Sequence, residues 1–386
     1  MMVQARDTVR ELQSSLIREV ANAGMGNPDI LRFWFGESDQ PTPMFIRQAA
    51  IASLESGETF YSQNLGRPYL REAIATYLSG LHERDIGPDR IAAVGSGVSA
   101  LMIASQLVLS PGDKVVAVTP LWPNVVEIPK ILGANVTRVP LTIANGKWSL
   151  DLQRTLDALT PDTRLLIVNS PNNPTGWTIE EDEVDLLLAH ARKHGIWVLA
   201  DDVYERLVYD VRRKSAPSFL RRYEPGDRII SSNSFSKAWT MTGWRMGWLV
   251  APETLMGDLS KLIEYNTSCI LEPAQRAGAV AVTQGEDEVA KLKARLAESR
   301  RALVSGLREL PGVDVPDAGG AMYAFFRIAG RDNSLELAKD IVREVSLGLA
   351  PGSAFGPEGE GWLRWCHAVS VEAVEMGLER LGRFLK

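Results

Sequence analysis

Residues 164–204 read RLLIVNSPNNPTGWTIEEDEVDLLLAHARKHGIWVLADDVY, and the fold class turns on how this stretch is parsed. The apolar runs at 164–169 and 196–200 have the length and composition of buried strands. Between them Val184, Leu187, Leu188 and Ala191 recur at i, i+3, i+4 and i+7, which is one face of a helix. Thr178 and Glu181 offer that helix a capping box, and Gly195 offers it a stop. Strand, helix and strand at this spacing make a βαβ unit, whose two strands run parallel. Further apolar runs at 113–119 and 228–233 extend the pattern. The expected fold class is therefore α/β, with a large domain whose mostly parallel sheet is covered by helices.

Beyond residue 285 the pattern changes. Residues 286–309 form a long, charged helical stretch, and residues 311–326 read as turns and strands of a smaller α+β domain. The expected division is an N-terminal arm and part of the small domain at 1–40, a large domain at 41–285 and a small C-terminal domain at 286–386. No internal repeat and no low-complexity linker interrupts the chain.

Composition narrows the function classes. The 386 residues are 45% hydrophobic and 23% charged, which excludes wholesale disorder. With 48 acidic and 42 basic residues the formal charge is −6, the wrong sign for a nucleic-acid coat. Two cysteines, Cys269 and Cys366, are too few for a disulfide framework or a four-thiolate zinc site. His190 and His194 stand four apart on the predicted helix, but no HExxH pattern surrounds them, so an exposed helix face is expected and no metal. Arg6, Arg10, Glu11, Arg18 and Glu19 break up any secretory signal. The uncharged stretch 91–112 is long enough to span a bilayer, yet Gly95, Ser96, Gly97, Ser99, Ser105 and Gln106 make it a strand-turn-helix instead. A cytoplasmic protein with reduced thiols and no membrane or nucleic-acid partner is expected.

In enzymes built on parallel sheets, chemistry gathers in the loops after the strands. Lys237, in Ser234-Phe-Ser-Lys237, follows one strand, and Arg245 comes eight residues later. A lysine made nucleophilic by burial suits Schiff-base chemistry, and an arginine offers a fork for phosphate; alone, the pair also reads as a solvated lysine near a structural arginine. Asp201, in Asp201-Asp-Val-Tyr204, follows another strand. It can hold a pyridinium nitrogen protonated while Tyr204 reaches a phenolate oxygen, or one of the two aspartates can cap a helix. Asn173, in Ser170-Pro-Asn-Asn-Pro-Thr-Gly176, points a donor to the same crevice or belongs only to a turn. Gly95-Ser-Gly97-Val-Ser99 opens a helix and lets backbone N–H groups approach a phosphate. Phosphate donors, lysine, acid, tyrosine and asparagine together describe a pocket for pyridoxal 5′-phosphate.

At these residues the sequence resembles the class I/II aminotransferases, the aspartate-aminotransferase-like family of pyridoxal-phosphate enzymes of fold type I. The resemblance runs from about Gly36 to Arg364 and is most specific at residues 234–245, then at 173–176 and 201–204. It implies that Lys237 forms the internal aldimine, that Asp201 pairs with the pyridine nitrogen, and that Tyr204 and Asn173 bond the 3′ oxygen. It gives the phosphate to Ser96, Gly97, Ser234, Arg245 and the N–H of Val98, and stacks Trp122 on the ring. Tyr61 matches a tyrosine that reaches the neighbouring subunit's phosphate, which implies a homodimer with shared sites. Arg364 matches the clamp on the substrate α-carboxylate, and Gly36 a glycine whose backbone faces the substrate. The implied activity moves an amino group from an L-amino acid to a 2-oxo acid in ping-pong half-reactions. A β-lyase using the same pocket is the alternative. A transcriptional regulator would need a basic helical domain ahead of Gly36, where little chain is left for one. Two departures, Gly36-Glu-Ser-Asp-Gln40 where relatives often have Gly-Glu-Pro-Asp-Phe, and Val98 where they often have a polar side chain, bear on substrate preference.

Overall fold

A computed structural model of the chain describes residues 4–386. A seven-stranded sheet runs in the spatial order Ile91–Val94, Gly247–Val250, Ile229–Ser234, Trp197–Asp201, Thr163–Asn169, Lys114–Thr119, Asn135–Pro140. Every strand points the same way except Gly247–Val250, which is antiparallel to both neighbours. Successive residues of a strand face opposite sides, and here both sides are core. Val116, Val118, Leu166 and Val168 belong to one apolar cluster, while Val115, Ala117, Leu165 and Ile167 belong to the other. That is why these strands read as unbroken apolar runs.

The helix between the quoted strands spans Glu181–His194 and stops at Gly195, whose φ is +66°. Its capping box lies elsewhere than the sequence suggests, formed by Glu180 and Glu183. The chain stays extended through Ile179, which is buried in the core and donates its N–H to Ser170 Oγ at 2.9 Å, so the helix cannot start at Thr178. The stretch 91–112 is the strand Ile91–Val94 followed by the helix Gly97–Val108. No helix among the described residues is long and apolar enough to cross a membrane. His190 and His194 share a helix face, with ring centroids 4.6 Å apart, and His190 Nε2 lies 2.7 Å from the Leu159 carbonyl.

A second, antiparallel sheet orders Val313–Asp314, Tyr323–Ile328, Trp362–Cys366 and Ala350–Pro351. The helix Glu286–Glu309 leads into it. The amino end of the chain joins this part through parallel pairing of Leu31–Arg32 with Leu347–Gly348. The bond from Cys366 N–H to the Phe33 carbonyl, at 3.1 Å, continues that seam. It places residues 33–37 between the second sheet and the carboxyl edge of the first.

Candidate active site

A cavity of about 690 Å³ lies where the two sheets meet. The predicted strands at 196–200 and 228–233 each lie one residue further on, at Trp197–Asp201 and Ile229–Ser234. Asp201 and Ser234 are thus last in their strands and open onto the carboxyl edge. Neither Asp201 nor Asp202 caps a helix, because the chain turns at 203–206 instead of coiling; Asp202 accepts from Ser231 Oγ at 2.6 Å. The Asp201 carboxyl is buried, with Ser232 Oγ 3.5 Å away. Burial pushes its pKa up to about 7, against the opposing pull of the Val203 N–H, the Ser232 hydroxyl and the Lys237 charge.

Lys237 sits on the single turn Phe235–Ala238 and donates from Nζ to the Gly36 carbonyl. Loss of water around it brings its pKa down to about 8, with Cys366 and Glu37 raising it and Arg364 and Arg245 lowering it further. Arg245 reaches the same edge from an unexpected side. It precedes the antiparallel strand, whose first residue Gly247 pairs with both Ser234 and Val94. A residue before an antiparallel strand shares an edge with residues after parallel ones. Arg245 adopts φ +52° and donates from Nη1 to the Thr242 carbonyl at 2.7 Å.

Beside it are the Ser234 hydroxyl, which donates to Ser236 Oγ at 2.8 Å, and the first turn of the helix Gly97–Val108. The N–H groups of Gly97 and Val98 have no intrahelical acceptor. A Cβ on Gly97 would sit 3.1 Å from Ser234 Cβ and crowd this cradle. Ser96 is the N-cap of that helix. Its hydroxyl caps the helix by accepting from Ser99 N–H at 3.0 Å, and it does not line the cavity. The hydroxyl keeps its own proton, which it can still donate.

Asn173 donates its N–H to Asn169 Oδ1 at 2.9 Å and accepts at Oδ1 from Arg364 Nη1, also at 2.9 Å. Arg364, only 2% exposed, donates from Nη2 to the Trp34 carbonyl, and its Nε is buried without a partner. It makes no ion pair with a carboxylate among the described residues. Tyr204 lies on the turn after Asp201, its hydroxyl 2.6 Å from that of Tyr323. Trp122, at the start of the helix Pro123–Ile131, and Gly36 also line the cavity. Tyr61 does not. It is 89% exposed, next to Phe60 at 84%, on the surface of the protomer.

Several lining residues escaped the sequence reading. Asn169 ends a strand as Asp201 does, and Ser236 lies inside the quoted 234–245 motif, so both carried the same signal. Tyr323 and the arm residues Ser15, Ile17 and Arg18 carried none, because only packing of distant segments brings them in.

The donor set fits pyridoxal phosphate. A buried carboxyl that lacks a tight cationic partner, a glycine-lined cradle of N–H and hydroxyl groups beside a guanidinium, and an orphaned buried guanidinium nitrogen match a cationic ring, its phosphate and a substrate carboxylate. A consequence is measurable without ligand. A carboxyl with its folded-state pKa raised from 3.8 to about 7 binds more protons in the folded state between those values, so stability falls as pH rises from about 4 to 7. Thermal melts of cofactor-free protein are expected to show this fall, and Asp201→Asn to flatten it. An unchanged slope in that variant would contradict the burial argument.

Residues 28–381 match the family described as aminotransferase class I and II. The chain is 31% identical over 378 residues to the aspartate aminotransferase of Pyrococcus horikoshii, covering 97% of this chain and 95% of that one. It is 31% identical over 385 residues to the aromatic-amino-acid aminotransferase 2 of Thermococcus litoralis, covering 98% of each. Among solved structures, a single mutant of Thermus thermophilus aspartate aminotransferase superposes over 100% of both chains with a TM-score of 0.91 at 28% identity.

Proposed function

Because this chain belongs to the aminotransferases of class I and II, we propose that it transfers the amino group of an L-amino acid to a 2-oxo acid with pyridoxal phosphate held at Lys237. The observation that carries this reading is the convergence of Lys237, Asp201, Arg245 and Arg364 on one cavity from four separate segments. When bound, the cofactor supplies a conjugated ring that takes up the electron pair left when Cα loses its proton.

The chain's own residues do the rest. Arg245, Ser234, Ser236 and the N–H groups of Gly97 and Val98 bind the phosphate, and Trp122 covers one ring face. The Asp201 carboxylate holds a proton on the ring nitrogen, because a neighbouring cation is what a buried carboxylate lacks here. Tyr204 and Asn173 face the 3′ oxygen. Arg364 fixes the substrate carboxylate with its fork, so that the Cα–H bond stands over Lys237. Lys237 Nζ, its basicity matched to neutral pH, would take the proton from the substrate Cα as a general base and give it back as a general acid. In the proposed division, with a large domain at 41–285 and a small one at 286–386 with the arm, Lys237 belongs to the large domain and Arg364 to the small one. Tyr61, exposed on the protomer, reaches the site of a second copy in a homodimer. The two relatives described differ in the substrate they are named for, so the amino donor is left to a screen.

The direct test follows single half-reactions of purified holoenzyme with each common amino acid, scoring 2-oxo acid and ammonia separately. Transamination releases the oxo acid without ammonia in the first half-reaction; ammonia in equal amount would favour the β-lyase. In the same assay Arg364→Lys is expected to raise KM for the donor about tenfold, because a point charge replaces a bidentate fork. An unchanged KM would remove Arg364 from the carboxylate site.

A further inference from the structure

Tyr323 is the residue of the cavity whose contacts reach furthest across it. It lies on the strand Tyr323–Ile328 of the small sheet, opposite Cys366, and is 1% exposed. Its hydroxyl is 2.6 Å from the Tyr204 hydroxyl, and the two rings meet edge to face at 5.7 Å. The Arg364 guanidinium lies over its ring at 4.5 Å. A Cβ on Gly36 would strike the Tyr323 hydroxyl, so the glycine makes room for this side chain.

The direction of the 2.6 Å bond has a chemical consequence. A phenol has one proton to donate. If Tyr204 gives its proton to an oxygen of the ligand, its own oxygen is left to accept, and Tyr323 must be the donor between them. We propose that Tyr323 is a positioning residue that donates to Tyr204, thereby commits the Tyr204 proton to the 3′ oxygen of bound pyridoxal phosphate, and carries Arg364 on its ring face. The proposal rests on the reading that this cofactor occupies the cavity. It links the substrate-carboxylate arginine to the cofactor oxygen by a second route, beside the direct bond from Arg364 to Asn173. Burial raises the pKa of both phenols, so both keep the protons the chain needs. The other groups facing the pair are Asp201 from the central sheet, Lys237 with Nζ 5.8 Å from the Tyr204 ring, and Arg364 and Cys366 from the small sheet.

A hydrogen bond donated to the 3′ oxygen stabilises the form of bound cofactor that has lost its titratable proton, and a chain of two such bonds strengthens the last one. The test is the midpoint of the visible-absorbance pH titration of the holoenzyme in four proteins: the parent, Tyr323→Phe, Tyr204→Phe and the double variant. Tyr323→Phe is expected to raise the midpoint by about half a pH unit, the size of one modest hydrogen bond. In the Tyr204→Phe background the same change is expected to shift nothing further, because the relay is already cut. The ring remains under Arg364, so KM for the amino donor holds while kcat falls. Gly36→Ala, which pushes on the Tyr323 hydroxyl without removing it, is expected to raise the midpoint in the same direction, and melting curves report folding for every variant. Equal shifts with and without the Tyr204 hydroxyl, or no shift in either, would overturn the relay. A parent protein that binds no pyridoxal phosphate would overturn the functional reading itself, whereas an active holoenzyme with an unmoved midpoint in Tyr323→Phe would overturn only this inference.

Discussion

Lys237→Ala is expected to lower kcat for transamination by about 10³-fold or more and to abolish the visible absorbance shift on adding pyridoxal phosphate. A positioned general acid–base alone contributes about 10²–10⁴ in rate, and in the proposed function this amine would also be the covalent anchor of the cofactor. Among the described residues no other lysine lines the cavity, so no neighbouring lysine takes over either task. The fold should survive. The Lys237 side chain faces the cavity and makes a single hydrogen bond, to the Gly36 carbonyl, and removing a buried amine that is costly to ionise relieves desolvation. Steady-state kinetics with an active donor, a cofactor spectrum and a melting curve decide the matter. A variant that keeps both turnover and absorbance would sink the assignment of Lys237, while one that melts far below the parent would mean that stability was lost along with chemistry.

Asp201→Ala is expected to cost about 10³-fold in kcat with a much smaller change in KM. Two opposite charges at about 4 Å, at an effective dielectric of about 20, interact by about 4 kcal/mol, and in the proposed function that energy would keep a proton on the ring nitrogen. A cofactor analogue alkylated at the ring nitrogen carries a permanent positive charge and is expected to recover part of the loss. If the loss were confined to cofactor affinity, with kcat intact at saturation, Asp201 would be a binding residue and not an electrostatic one.

The parts of this molecule legible in the sequence are those where local demand and function coincide. Asp201, Asn173 and Lys237 each follow an apolar run, and an apolar run bounded by polar turn residues is a strand end whatever it carries. The helix at 286–309 was legible because its charge and apolar spacing persist over its full length. Other features depended on what the chain meets after folding. Gly247–Val250 is short, and nothing local states that it runs against its neighbours, so the sequence offered Arg245 as a phosphate ligand without a reason for its position. Ser96 could bond a phosphate or a helix N–H, and nothing local states that its oxygen accepts from Ser99. Tyr323 lies in a run of apolar and aromatic residues that reads as ordinary core, and its role follows from the approach of one sheet to the other.

The parallel seam between Leu31–Arg32 and Leu347–Gly348 sets an order of events during synthesis. Trp34, Phe35 and Gly36 emerge from the ribosome early, yet the strand they depend on is made more than three hundred residues later. Until then the central sheet can assemble with its carboxyl edge uncovered, and loop closure over that distance is among the slowest contacts the chain has to form. The wall that carries Trp34, Phe35 and Gly36 is therefore completed last, and a nascent chain stalled before residue 347 would present the central sheet without it.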